Sequence, residues 1–191
     1  VGNLGSSSVS ILLGTGSGSF GAKTDFTAGL NPSSVSSDDF NADGVPDLAI
    51  VSGSAPAGGV LFGTGSGDFG ASISFTGGGS SVISEDFNAD GRPDLAVAGG
   101  SVVSILLANG SGNFLSKTDF TTGSDANSVI SEDFNADGRP DLATANSSSN
   151  SVSILLGTGT GSFGAKTDFT TGSNPSSAVS QHFNGDGRPD R

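Results

Sequence analysis

The apolar residues of this chain fall in short bursts that alternate with serine, threonine and asparagine, and a helical period of 3.6 holds nowhere. Within residues 125–173 the bursts are Ser128–Phe134, Leu142–Ala145, Ser151–Leu156 and Lys166–Thr170, rich in β-branched or aromatic residues and bounded by Gly, Pro, Asn or Ser. Each reads as a strand. The same phrases recur along the chain: Ser8–Leu13 returns at Val102–Leu107 and Ser151–Leu156, with a degenerate version at Gly59–Phe62. A glycine-rich turn closes on Phe20-Gly21, Phe69-Gly70 and Phe163-Gly164, with Phe114-Leu115 as the variant. Four short strands per unit predict an all-β chain of propeller-type blades, each with four antiparallel strands.

Between the first two expected strands of each unit stands an acidic phrase, beginning at residues 39, 86, 133 and 182, so the periods are 47, 47 and 49 residues. Oxygen-bearing side chains occupy positions 1, 3, 5 and 9, and a glycine at position 6 permits a sharp turn. The candidate ligands are Asp39, Asn41, Asp43 and Asp47, then Asp86, Asn88, Asp90 and Asp94, then Asp133, Asn135, Asp137 and Asp141, and finally Asn184, Asp186 and Asp190. Backbone carbonyls at position 7 (Val45, Arg92, Arg139 and Arg188) can add an oxygen to each set. Calcium takes six to eight oxygens at about 2.3–2.6 Å in irregular geometry, and this donor set suits it better than magnesium. Zinc and copper are disfavoured, because the chain has no cysteine and one histidine. The plainer alternative is that Asp, Asn and Gly are turn residues capping their own backbone. An EF-hand is excluded, since position 12 holds Ile50, Val97 and Thr144 where a bidentate Glu is required. Three to four calcium ions per chain are expected, the fourth site being weaker because His182 stands at its position 1.

These phrases resemble FG-GAP/VCBS repeats, the blades of integrin α-subunit propellers and of many secreted microbial proteins. The Phe-Gly turn, the Gly-Ala-Lys step after it (Gly21–Lys23, Gly164–Lys166) and the D-x-N-x-D-G-x-P-D loop carry the resemblance. It implies calcium in a β-hairpin between the first two strands of a blade, and a place outside the cell or on its surface. The Gly-Ala-Pro of the family name is not matched, and family propellers usually have seven blades where this chain has material for four.

The expected units are a part-blade at 1–30, blades at 31–77, 78–124 and 125–173, and the first strand and loop of a split blade at 174–191. Read end to end, Asp190-Arg191 followed by Val1–Leu13 closely reproduces Asp141–Leu156, so the termini are complementary halves. A chain that starts at Val1 and holds no methionine is expected to be a processed or excised portion of a longer product. Complementary halves predict self-association, closing as a ring or running on as a filament.

A net charge of −12 argues against nucleic acid and anionic membranes, and four divalent ions, eight positive charges, would bring it to −4; with no transmembrane run in the sequence, no membrane insertion is expected. The 13 phenylalanines are three per unit plus Phe62, a distribution that suits packing between blades better than a ligand box. With no Cys, Tyr or Trp and a single His, an enzyme is not expected. A glycan-binding propeller lectin, a fragment of a larger adhesion propeller, and a partner among extracellular proteins are the alternatives to a self-assembling structural or adhesive protein. Asn109 and Asn146 begin N-x-S/T sequons in expected turns and are candidate glycosylation sites.

Overall fold

The computed structural model describes residues 1–28, 31–53, 57–181 and 183, and among them the chain is all β. Three sheets have four antiparallel strands in chain order. They are β4 (Ser34–Asp38), β5 (Asp47–Val51), β6 (Ala57–Gly63) and β7 (Phe69–Thr76); β8 (Ser81–Glu85), β9 (Asp94–Gly99), β10 (Val102–Leu106) and β11 (Thr118–Thr121); and β12 (Ala126–Glu132), β13 (Asp141–Asn146), β14 (Ser151–Leu155) and β15 (Thr167–Thr170). A three-stranded sheet of β1 (Gly2–Asn3), β2 (Ser8–Ile11) and β3 (Thr24–Thr27) precedes them. No helix among the described residues is long and apolar enough to cross a membrane.

The second strand of each blade is buried on both faces over most of its length. All residues of β5 and β13 are buried. The inner strand β8 packs against β4 on one side and β12 on the other, so the blades stand side by side around their first strands. Three thin cores form between blades. One is built around Phe87, Ile105, Leu142 and Leu155, a second around Phe40, Val60, Leu95 and Leu106, and a third around Val9, Leu48, Ile50 and Leu61.

The phenylalanines do pack between blades, as their spacing suggested, and they do so as wedges. Phe114 in the turn of the second blade meets Phe40 and Phe75 of the first, with ring centroids 5.8 and 5.5 Å away, edge to face. Phe163 repeats this on Phe87 and Phe120 at 5.7 and 5.4 Å. Such pairs add about 0.5–1.5 kcal/mol to the burial of the rings. Hydroxyls tie the inner strands together as well: Ser34 Oγ accepts from Val82 N at 3.2 Å and Ser81 Oγ from Val129 N at 3.3 Å.

The expected strand Ser128–Phe134 ends earlier, at Glu132, because Asp133 leaves the ladder to begin the acidic turn. Outer strands carry a Ser–Asp–Lys group that the sequence reading did not single out. Ser10 with Asp25 and Lys23, Ser104 with Asp119 and Lys117, and Ser153 with Asp168 and Lys166 are each joined by side-chain hydrogen bonds. Bonds from Lys23 and then Ser10 hold the Asp25 carboxyl below the usual range. Partial burial pushes Asp119 and Asp168 the other way, but their lysine and serine partners outweigh it.

Candidate metal centre

Each acidic phrase folds as the hairpin loop between the first and second strands of its blade, at the β4–β5, β8–β9 and β12–β13 connections. The backbone curls by two left-handed residues. Gly44, Gly91 and Gly138 at position 6 have φ of 83°, 80° and 81°, and the alanines at position 4, Ala42, Ala89 and Ala136, have φ of 61°, 59° and 60°. The glycine was legible from sequence; the alanine was not. A left-handed alanine costs roughly 1–2 kcal/mol. Ala136→Gly is therefore expected to leave the melting temperature unchanged or raise it, and Gly138→Ala to lower it by a few degrees, both read by thermal unfolding.

The side chains at positions 1, 3 and 5 fold over this curl in the same way in all three loops. Asp133 accepts from Asp137 N at 3.0 Å and from Gly138 N at 2.7 Å, Asn135 Oδ1 accepts from Asp137 N at 2.9 Å, and Asp137 Oδ1 accepts from Arg139 N at 3.0 Å. Asp39, Asn41 and Asp43 do the same in the first loop, and Asp86, Asn88 and Asp90 in the second. Arg92 and Arg139 lie 3.4 and 3.7 Å from the position-5 carboxylates of their own loops.

Position 9 is different. Asp47, Asp94 and Asp141 are fully buried and bridge the loop to the end of the third strand, which lies beside it in the blade. Asp141 accepts from Phe134 N at 3.0 Å and from Gly157 N at 2.7 Å; Asp94 accepts from Phe87 N at 3.1 Å and from Ala108 N at 2.7 Å. Asp47 makes the same pair of bonds with Phe40 N and Gly63 N. Burial raises all three carboxyls, and the carboxylates at positions 5 and 1 raise them further against the lowering effect of the amides. Asp94 is pushed up to about 6.

Among the described residues no three carboxylate or imidazole groups form a cluster that could hold a metal ion, because these oxygens are turned onto loop amides. The donor chemistry nevertheless fits a hard cation. Each loop gathers only oxygen ligands, its carboxylates repel one another, and a carboxylate oxygen bonded to one amide keeps a second lone pair. The fourth loop, with His182, Asn184, Asp186, Arg188 and Asp190, lies outside the described residues.

The position-12 residues that ruled out an EF-hand are core residues of the second strands: Ile50, Val97 and Thr144 are almost wholly buried. Of each adjacent acid pair, the first member stays outside the loop. Asp38 accepts from Asp39 N at 3.0 Å and from Ser84 Oγ of the next blade at 3.0 Å. Asn146, a sequence candidate for glycosylation, is corrected by the structure. It is fully buried, and its Nδ2 donates to Ser151 Oγ and Ser153 Oγ at 3.2 and 2.8 Å, so the atom that would carry a sugar is enclosed in the blade. Asn109 is exposed in its turn.

The family model described as FG-GAP-like repeat matches residues 86–144 and 133–190, together 105 of the 191 residues. The chain belongs to the FG-GAP-like repeat family. Among solved structures, this FG-GAP chain resembles an Agrocybe aegerita lectin described as recognising non-reducing terminal N-acetylglucosamine, with 21% identity and a TM-score of 0.59 over 87% of this chain. It spans 47% of that lectin's length. A component of the Photorhabdus luminescens Tc holotoxin pore also matches, at 14% identity and a TM-score of 0.41, over 96% of this chain and 9% of that one. No curated protein sequence matches. At 21% identity the likeness to the lectin is one of fold.

The buried position-9 carboxylates give a pH dependence whose sign follows from their direction. For Asp94, whose folded pKa is raised above the unfolded 3.8, the contribution to stability is complete below about pH 4 and is lost as pH rises through about 6, and Asp47 and Asp141 act in the same direction. In chelator, the melting temperature is therefore expected to be higher at pH 5 than at pH 7.5. With calcium present the order should reverse, since ligands must be ionised to bind.

Proposed function

We propose that this FG-GAP repeat chain is a calcium-stabilised structural or adhesive module that works outside the cell or on its surface and assembles with further copies of itself. The observation that supports the calcium reading is the threefold repetition of one oxygen-donor loop at the same point of three blades, with the same amide bonding each time. Positions 1, 3, 5 and 9, with the carbonyls of Val45, Arg92 and Arg139, would supply the ligands. A bound ion would cross-link a loop that has no disulfide to hold it and would neutralise carboxylates that now repel one another. Loading requires those carboxylates to turn from the loop amides toward a common point. Millimolar calcium outside the cell would keep even weak sites filled, which is the reason for placing the module there.

A second reading, a glycan-binding propeller, has one observation in its favour beyond the lectin likeness. A cavity of about 230 Å³ lies between the first two blades, lined by Asp38, Asp39, Phe40, Gly91, Arg92 and Gly110. A glycan array with calcium-loaded protein separates the readings. Light scattering showing defined oligomers with no selective glycan binding supports the structural module, and a monomer with selective micromolar glycan binding supports the lectin.

A further inference from the structure

Building on the calcium reading above, on which this depends, we infer that the residue at position 7 of each acidic loop sets that loop's affinity for the ion. The first loop, with Val45 there, binds calcium more tightly than the second and third, where Arg92 and Arg139 place a built-in positive charge. The three loops are otherwise alike in donors and in amide bonding. In all three the position-5 carboxylate accepts at Oδ2 from the position-3 amide: Asn41 to Asp43 at 2.9 Å, Asn88 to Asp90 at 3.2 Å and Asn135 to Asp137 at 3.0 Å. In two of them a guanidinium shares that oxygen, Arg92 donating to Asp90 at 3.4 Å and Arg139 standing 3.7 Å from Asp137. Asp43 has no cationic partner among the described residues.

The arginines are held there by a feature outside the loop. The turn between the third and fourth strands of each blade contains a left-handed glycine, Gly65, Gly110 or Gly159, with φ of 83°, 77° and 74°. Its bare α-carbon leaves a shelf on which the position-7 side chain lies. A Cβ on Gly110 would stand 2.7 Å from Arg92 Nε, one on Gly159 3.1 Å from Arg139 Cδ, and one on Gly65 3.7 Å from Val45 Cγ2. The first blade thus keeps the shelf and the contact with it, and lacks the charge.

The charge acts in opposite directions with and without the ion. Without calcium, a guanidinium beside the position-5 carboxylate relieves the repulsion among the acidic groups of its loop. With calcium, the same charge repels the ion. A unit charge and a divalent ion about 6 Å apart in water repel one another by an amount worth about tenfold in affinity. The dielectric of water is the right one to use, because both arginine side chains are about half exposed. Arg92 also lines the cavity between the first two blades with Asp38 and Asp39. Among the described residues, however, its ion pair is with Asp90, so its own loop feels the charge more strongly than the first loop does. The fourth phrase has Arg188 at position 7 and counts with the weaker sites.

The test is isothermal titration calorimetry of calcium into the metal-stripped 191-residue chain and three variants, Val45→Arg, Arg92→Gln and Arg139→Gln, with circular dichroism and melting in chelator as the check on the fold. The unmodified chain should bind one ion about tenfold more tightly than the rest. Val45→Arg should abolish that tight step while the number of bound ions stays the same, and each glutamine variant should add one tight step. Melting midpoints in chelator should move the other way, up for Val45→Arg and down for the glutamine variants, a reversal of sign that altered packing alone does not give. Equal affinities in the unmodified chain, or a tight step that survives Val45→Arg, would overturn this ranking while leaving calcium binding standing. A folded chain that takes up no calcium would overturn the calcium reading as well.

Discussion

In calcium-free buffer the protein is expected to melt about 10 °C lower than in millimolar calcium. The estimate follows from linkage. An ion that binds only the folded loop, present at tenfold excess over its Kd, stabilises by about 1.4 kcal/mol per site, so three sites give about 4 kcal/mol. In a chain of this length each kcal/mol moves the midpoint by about 2–4 °C. The direction does not depend on the numbers, because the loops bring carboxylates together that repel one another without a cation. Differential scanning calorimetry with and without chelator reads the shift. A midpoint indifferent to both would leave the loops as capped turns.

Asp141→Ala is expected to cost about 3–5 kcal/mol even in chelator, where no ion is lost. The carboxylate is fully buried and accepts from Phe134 N and Gly157 N, so its removal strands two amides inside the blade. Asp141→Asn should also destabilise, since an amide can accept one of these bonds but turns its NH₂ toward the other donor. Asp137→Ala makes the useful contrast: position 5 bonds only to its own exposed loop, and its loss in chelator should cost under about 1 kcal/mol. Urea unfolding of the three variants in chelator checks the ranking. Equal losses at positions 5 and 9 would contradict the separate structural role of Asp141.

Much of this architecture could be read from residue spacing. The recurring Ser-Val-Ser-Ile-Leu-Leu strand, the Phe-Gly turn and the acidic phrase gave four-stranded units, because a period near 47 residues leaves room for little else. The open set β1–β3 was also foreseen, since residues 1–30 contain no acidic loop. What spacing could not give is which way a side chain turns. Asp133 and Asp141 look alike as ligands at positions 1 and 9, yet the first folds onto its own loop and the second enters the blade to meet Gly157. Ala136 reads as a filler and is a left-handed residue. Asn146 reads as an exposed sequon because the serines after it suggest a turn, but it ends a strand whose two faces are both covered. The wedge partners were hidden for the same reason: twelve phenylalanines at regular positions fix that blades meet, and only the register of neighbouring sheets fixes which rings touch.

The number of calcium ions carried by each chain tests the central claim most directly. Equilibrium dialysis of metal-stripped protein against millimolar calcium should give at least three ions per chain, and Asp137→Ala should carry about one fewer. Binding of less than one ion per chain to correctly folded protein would contradict the assignment of the loops as calcium sites.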